Sequence, residues 1–179
     1  LAKQKYEEGF EHFDYVNPKA SKGGTFRIPD MGAWDSFNPI PLRGRVVSGV
    51  SIWSPVDNFI YDSLLAGSLD EPASFYPKLA KGVRVAEDGT YIDFMIRGNA
   101  RWHDGKAITV EDVLFTFDVY MTKANPSIRT PLEIIDRLEV LDEDEIRFWI
   151  SKESVGDPII PIRIGVMAIL PKHYWLDKD

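Results

Sequence analysis

The side chains best suited to catalysis lie in the stretch ARWHDGKAITVEDVLFTF, at residues 100–117. Trp102, His103 and Asp104 are consecutive there. A histidine acts as a general base when a second group orients it and when a nucleophile or substrate faces it. The stretch therefore raises the hypothesis of a hydrolase that uses His103 and Asp104.

The same residues also have the pattern of a strand end followed by a tight turn. Neighbouring side chains on an extended chain point to opposite sides, so His103 and Asp104 would not face the same target. Asp104 and Gly105 form a dipeptide that favours tight turns. This structural interpretation fits the residues better than the catalytic one.

A helix is predicted to start directly after the turn. Thr109 is a suitable N-cap, and Glu111 and Asp112 fall in the first turn, where the helix dipole favours negative charge. The spacing resembles a capping box with aspartate in place of glutamate. One apolar face follows, formed by Val110, Val113, Leu114, Phe117 and Met121. Helix initiation thus accounts for both carboxylates.

Other signs of a catalytic or metal site are missing from the sequence. His12 and His173 are far apart and have no metal-ligand spacing. There is no HExxH, GxSxG or P-loop pattern and no cysteine. The sequence therefore indicates no metal site and no bound cofactor, and the hydrolase that uses His103 and Asp104 stays an alternative. The five tryptophans and ten phenylalanines leave a third hypothesis open, a sugar-binding module with stacking aromatic rings, although most such residues belong to cores.

The composition is typical of a globular domain, and it excludes some partners. The chain has 179 residues and a formal charge of −7, so a nucleic acid, which requires a basic face, is not expected as a partner. The longest late apolar stretch is broken by Asp157, Arg163 and prolines, and is too interrupted for a membrane helix. The first residues have no apolar signal core, which fits a cytosolic protein or an exported one whose signal has been removed.

Hairpins rather than regular βαβ units dominate the pattern, which favours the α+β class. The dipeptide at 88–89 is a strong turn signal between alternating apolar residues. The first part of the chain is predicted to contain a surface turn at 17–24, a short strand at 25–29, a loop at 30–44, a helix at 55–67 and a loop at 69–82. Hairpins are predicted at 83–97 and 138–150, before and after the turn and helix described above. A buried strand at 165–175 follows, and it ends in a turn at Pro171.

Several stretches resemble one family in residue type and in order. ARWHDGKAITVEDVLFTF is similar to the signature of bacterial extracellular solute-binding proteins of family 5, the peptide- and oligopeptide-binding components of ABC importers. Val110 and Thr116 replace the usual alanine and serine there. YVNPKASKGGTFRI, FNPI, YIDFMIR and ILPKHYW also match in the expected order, with Ser21 where proline is common.

The resemblance implies a two-lobed periplasmic-binding-protein-like fold of type II, of which this chain is the N-terminal portion. Residues 1–44 would be the first part of lobe I, 45–164 an inserted subdomain that carries the signature, and 165–179 the return into lobe I. The second lobe would be absent.

The resemblance also implies a function without a catalytic step. The protein would bind a peptide or oligopeptide in a cleft between lobes and deliver it to an inner-membrane ABC permease. A periplasmic monomer with its signal peptide removed is the expected form. Other branches of the family carry nickel, haem or oligosaccharides, and the stretch YVNPKASKGG favours peptides.

The loop after the first strand is the best candidate for a cleft wall. It contains Gly32, Ala33, Trp34 and Asp35. Glycine permits close backbone approach, Trp34 offers a flat apolar surface, and Asp35 suits an ammonium group. Structural roles are the alternative, with Trp34 filling a gap and Asp35 capping the turn.

Overall fold

The computed structural model describes residues 4–25, 27, 32–40, 43–47, 49–50 and 58–176. Its main sheet has four antiparallel strands. They are β3 (Ala80–Val85), β4 (Tyr91–Ile96), β5 (Ile135–Asp142) and β6 (Glu145–Ile150). Their spatial order is β3-β4-β6-β5, so two hairpins lie side by side and β4 and β6 are central. Antiparallel strands combined with separate helices confirm the predicted α+β class.

Both predicted hairpins are present. In the first, Gly89 has a φ of +73°, and Asp88 Oδ1 accepts the Thr90 amide at 3.0 Å. The second hairpin turns between Asp142 and Glu145, at the acidic tip expected from the sequence. Both turns are local, so the chain needs no distant partner to form them.

Helix α1 (Val110–Thr122) covers one face of the main sheet. Phe117 from the helix lies against Phe148 of β6, with ring centroids 4.8 Å apart. Phe94 of β4 completes the group, and all three rings are fully buried. The helix covers the predicted residues and places its apolar stripe on the sheet, as the spacing predicts.

The opposite face of the sheet carries a charged row that is largely satisfied internally. Arg84, Asp93 and Arg147 are direct cross-strand neighbours on β3, β4 and β6. Asp93 has 0% exposure, and it accepts hydrogen bonds from Arg84 at 2.7 Å and Arg147 at 2.7 Å. A buried carboxylate is tolerated because these two guanidinium groups compensate for its lost hydration.

A smaller two-stranded sheet replaces part of the predicted helix at 55–67. Strand β1 (Leu65–Gly67) pairs with β2 (Phe75–Pro77), and no helix occurs among residues 58–67. Residues 55–57 lie outside the described part. The Leu64 carbonyl accepts the amides of Lys78 and Ala80. The helix prediction was therefore wrong at 58–67, because pairing with a distant segment satisfies this backbone and its apolar residues enter the core as extended chain.

The prediction of one loop at 69–82 was also wrong in part. That range contains β2 and the start of β3. Strand β2 is short and contains a proline, so its alternation is hard to detect from sequence alone. The described residues of the predicted loop at 30–44 contain no helix or named strand, in agreement with the sequence.

Of the buried strand predicted at 165–175, residues 165–170 are buried, but they do not form a strand of a sheet. Helix α3 (Ile160–Gly165) precedes it, and helix α4 (Lys172–Trp175) follows Pro171 where a turn was expected. Between them, 166–170 is buried and makes one isolated bridge, from Ala168 to Ser63. We call residues 168–172 the return segment. Side chains, rather than a neighbouring strand, satisfy much of its backbone.

The N-terminal residues form a separate aromatic cluster on the small sheet. Tyr6, Phe10 and Phe13 pack around Tyr76, with ring centroids 5.0–5.6 Å apart. Residues 17–24 are exposed and irregular, as predicted. Phe26 and residues 28–29 lie outside the described part, so the strand expected at 25–29 stays a prediction. Helix α2 (Pro126–Arg129) and a 3-10 turn (Thr130–Leu132) connect α1 to β5.

Candidate functional site

The four residues predicted for a cleft wall lie together on one exposed loop. Gly32, Ala33, Trp34 and Asp35 are all exposed. Pairing with residues 45–47 closes the loop, through a parallel bridge from Ser36 to Val46. The structure thus brings the four residues to one surface. Their ligand role stays a prediction.

Asp35 fixes the base of this loop. Its Oδ1 accepts the Arg45 amide at 2.9 Å, and its own amide donates to the Arg45 carbonyl at 3.1 Å. Gly44 has a φ of +93°, and a Cβ there would overlap Asp35 Oδ1. At Gly32, a Cβ would lie 2.9 Å from Arg45 Nη1. Asp35 therefore has a structural role through Arg45, which is not the cap of the following turn that the alternative expected.

Trp34 does not fill a gap. It is 53% exposed, and its ring packs against that of Phe37, with centroids 4.7 Å apart. Phe37 is 50% exposed. Two large aromatic side chains exposed side by side are typical of a surface that binds another molecule. Phe37 was not part of the predicted site.

A concave pocket of about 300 Å³ adjoins this surface through Phe37. We call it the aromatic pocket, after the rings that line it, which are Phe37, Tyr61, Trp102, Tyr174 and Trp175. Burial is the main cause that raises the pKa of Tyr61 to about 12. The Tyr61 hydroxyl donates to the Phe37 carbonyl at 3.3 Å, which ties the loop to the pocket wall.

Three ionisable side chains, His103, Asp104 and His173, also line the pocket. Asp104 Oδ2 lies 2.8 Å from His173 Nε2, and Asp104 Oδ1 accepts the Lys106 amide at 3.1 Å. That amide, followed by His173, holds the pKa of Asp104 below its ordinary value. The hydrolase hypothesis requires Asp104 to orient His103, whereas the structure pairs Asp104 with a histidine 69 residues away.

Asp112 joins the signature motif to the return segment. Its Oδ2 accepts the Thr109 amide at 2.9 Å, in a capping-box arrangement, and Trp102 Nε1 at 3.3 Å. Its Oδ1 accepts the Lys172 amide at 2.9 Å. The predicted helix start is confirmed, and the same carboxylate has a further use that the sequence did not reveal.

Two further residues of α1 bind the return segment. Thr116 Oγ1 accepts the Leu170 amide at 2.8 Å, and Tyr120 donates its hydroxyl hydrogen to the Ala168 carbonyl at 2.7 Å. Thr116 and Tyr120 are fully buried. Together with Asp112 they form what we call the clasp. The signature motif therefore has a structural role, as predicted, and its contacts with the return segment go beyond the turn and helix start that the sequence indicated.

The described part of the chain contains no cluster of three or more potential metal ligands among its His, Asp and Glu residues. None of the helices in that part has the length and apolarity that a bilayer crossing requires.

A family model described as bacterial extracellular solute-binding proteins, family 5 Middle, matches residues 74–178. A probable peptide-binding protein, YejA of Agrobacterium fabrum, is 35% identical over 96% of this chain and 26% of its own length. A peptidoglycan-binding protein, YepA of the same organism, is 35% identical over 92% of this chain and 27% of its own. The chain thus spans about a quarter of the length of these curated relatives.

Solved structures of binding proteins also match this chain over part of their length. NikZ from Campylobacter jejuni in complex with Ni(L-His) matches with a TM-score of 0.61 and 25% identity, over 85% of this chain and 28% of its own. A mannohexaose-bound periplasmic oligopeptide-binding protein from Thermotoga maritima matches with a TM-score of 0.56 and 26% identity, over 75% of this chain and 23% of its own. These neighbours are periplasmic binding proteins, so the fold of the matched part is that of their family.

Proposed function

The chain belongs to the bacterial extracellular solute-binding proteins of family 5, and from that premise we propose that it binds peptides for an ABC importer. Members of this family are solute-binding proteins of transporters rather than enzymes. The observation that carries the proposal within this chain is the exposed pair Trp34 and Phe37, on a loop that its own backbone holds closed.

The loop suits a ligand that is recognised by its main chain. Residues 32–34 are exposed, and their backbone N–H and C=O groups are of the kind that any peptide sequence satisfies equally well. Trp34 gives a flat surface for an apolar side chain. Asp35 mainly fixes the loop, and its carboxylate adds negative charge near the site of an α-amino group.

In the proposed mechanism this chain supplies one wall of a cleft and a second lobe supplies the other. Ligand contacts that exist only in the closed form shift the population toward closure, and the loaded form then delivers its cargo to a membrane permease. The division at residues 44 and 164, the type II two-lobed arrangement, the periplasmic location and the monomeric state all belong to this proposal.

The names of the relatives narrow the ligand class. One relative is named for peptide binding and another for peptidoglycan binding. Peptidoglycan carries short peptides, so one site that reads a peptide main chain covers both descriptions. We therefore propose short peptides, with those released from the cell wall as the first to be tested.

Mass spectrometry of molecules released by denaturing the purified complete gene product tests the proposal directly. Peptides should be recovered. Calorimetry with such a peptide should show that Trp34→Ala weakens binding on the order of tenfold, because an aromatic contact is lost at an interface. An unchanged affinity would remove Trp34 from the site. Consumption of the peptide would instead favour the hydrolase hypothesis.

A second candidate is an oligosaccharide, because Trp34 and Phe37 also suit the face of a sugar ring. The Thermotoga maritima neighbour was crystallised with mannohexaose. Titration of the tryptophan fluorescence separates the two ligand classes. Quenching by mannohexaose and none by peptides would favour the sugar.

A further inference from the structure

The aromatic pocket has the size for one side chain rather than for a whole peptide. Its volume of about 300 Å³ is at the lower end of the ~300–1,000 Å³ that is typical of ligand pockets. Five aromatic side chains, Ile60 and Pro171 line it, so an apolar group that leaves water for this pocket gains free energy. Because Phe37 belongs both to the pocket and to the exposed pair, a ligand on the loop can reach into the pocket.

The charges at the pocket make an uncharged group the better occupant. Asp104 already receives the Lys106 amide and lies 2.8 Å from His173 Nε2. The carboxylate therefore has partners on both oxygens and does not require a cation from the ligand. A charged side chain would lose its hydration here and find no partner dedicated to it.

We infer that the aromatic pocket is a subsite for one large uncharged side chain of the bound peptide, aromatic or branched aliphatic. This inference rests on the proposed function, since it assumes a peptide on the loop. It adds a preference that the main-chain mechanism does not contain.

The test compares five peptides by calorimetry with the complete gene product. One is tetra-alanine, and each of the others has a single phenylalanine in place of one alanine. At least one phenylalanine peptide should bind about tenfold tighter than tetra-alanine or better, because a buried ring gains transfer free energy. Tyr174→Ala should reduce that preference, because it removes one of the rings that line the pocket.

Tyr15→Ala is the matched control. Tyr15 is an exposed tyrosine of the N-terminal cluster, 43% exposed against 51% for Tyr174, and it does not line the pocket. It should leave the preference unchanged. His103→Trp gives an independent variant, since a bulky ring at this exposed pocket residue should block entry and abolish the preference without burying a new group.

The outcomes separate the inference from the function beneath it. If tetra-alanine binds and all five affinities agree, the subsite does not exist while the peptide-binding proposal stands. A phenylalanine preference that survives both Tyr174→Ala and His103→Trp also overturns the inference, because the ring then binds elsewhere. If none of the five peptides binds, the proposed function fails and the inference fails with it.

Discussion

Replacing Asp112 should destabilise the clasp far more than replacing its acidic neighbour. Asp112 is buried and accepts hydrogen bonds from the Thr109 and Lys172 amides and from Trp102 Nε1. Loss of a cap costs about 1 kcal/mol, and each buried donor left without an acceptor costs about 1–3 kcal/mol. Relaxation and water recover part of that sum, so we expect Asp112→Ala to cost about 3–5 kcal/mol.

Glu111→Ala is the matched control in the same helical turn. Glu111 makes a salt bridge to Lys172 Nζ at 2.8 Å, but its side chain is 54% exposed and that of Lys172 is 40% exposed. Exposed pairs of this kind contribute about 0–1 kcal/mol. The two variants therefore remove the same formal charge from one turn and differ in burial and in the number of bonds lost.

Native-state hydrogen exchange is the most direct assay, because it reports on individual amides. In Asp112→Ala the amides of Thr109 and Lys172 should lose protection, whereas amides in the β3–β4 hairpin (Ala80–Val85 with Tyr91–Ile96) should change less. Thermal unfolding gives the overall loss. Equal protection and equal melting temperatures for Asp112→Ala and Glu111→Ala would refute the clasp as a stabilising junction.

Three further changes test other parts of the structure. Burial alone would raise the pKa of Asp93, but the hydrogen bonds and charges of Arg147 and Arg84 outweigh burial and hold this pKa below its ordinary value. The charge of Asp93 therefore stabilises the native state above about pH 4 and stops doing so as pH falls through the lowered pKa. Urea unfolding should show that Asp93→Asn costs about 1–3 kcal/mol at pH 7 and less at pH 3; an equal cost at both would contradict this. Gly44→Ala should weaken peptide binding in calorimetry, because its positive φ and its overlap with Asp35 disturb the loop; unchanged binding would count against the loop. Thr116→Val should cost about 1–3 kcal/mol in thermal unfolding, since it leaves a buried amide of the return segment without its acceptor, whereas Thr116→Ser should retain stability; equal losses would point to packing instead.

The sequence predicted the elements whose causes are local. The turn at Asp88 and the capping box between Thr109 and Asp112 each depend on residues within one turn of chain, so the pattern contains the necessary information. The predicted helix was wrong at 58–67 for the opposite reason. The Leu64 carbonyl accepts amides from Lys78 and Ala80, and no local pattern announces that pairing.

The candidate site was also predictable only where its residues are neighbours in sequence. Gly32 to Asp35 are adjacent in sequence, so a loop that contains them was predictable, and the structure places them on one surface. The aromatic pocket was not predictable, because Phe37, Trp102 and Trp175 come from three distant segments. Of the pocket residues, only Phe37 is close enough to Trp34 in sequence to have been added to the predicted site.

Asp104 and Asp112 of the signature motif also restrict motion of the chain. Asp112 bonds the Lys172 amide, and Asp104 lies beside His173, so both carboxylates hold the chain where it leaves the return segment. Two neighbouring contacts at Lys172 and His173 oppose rotation of the chain at the end of the return segment more strongly than one contact would. A binding protein that closes around cargo needs rigid bodies that move as units, with bending confined to a few connecting residues. Under the proposed function, the motif would contribute to binding by keeping the aromatic pocket and the sheet in one body, and chemistry at His103 is not needed to explain its composition.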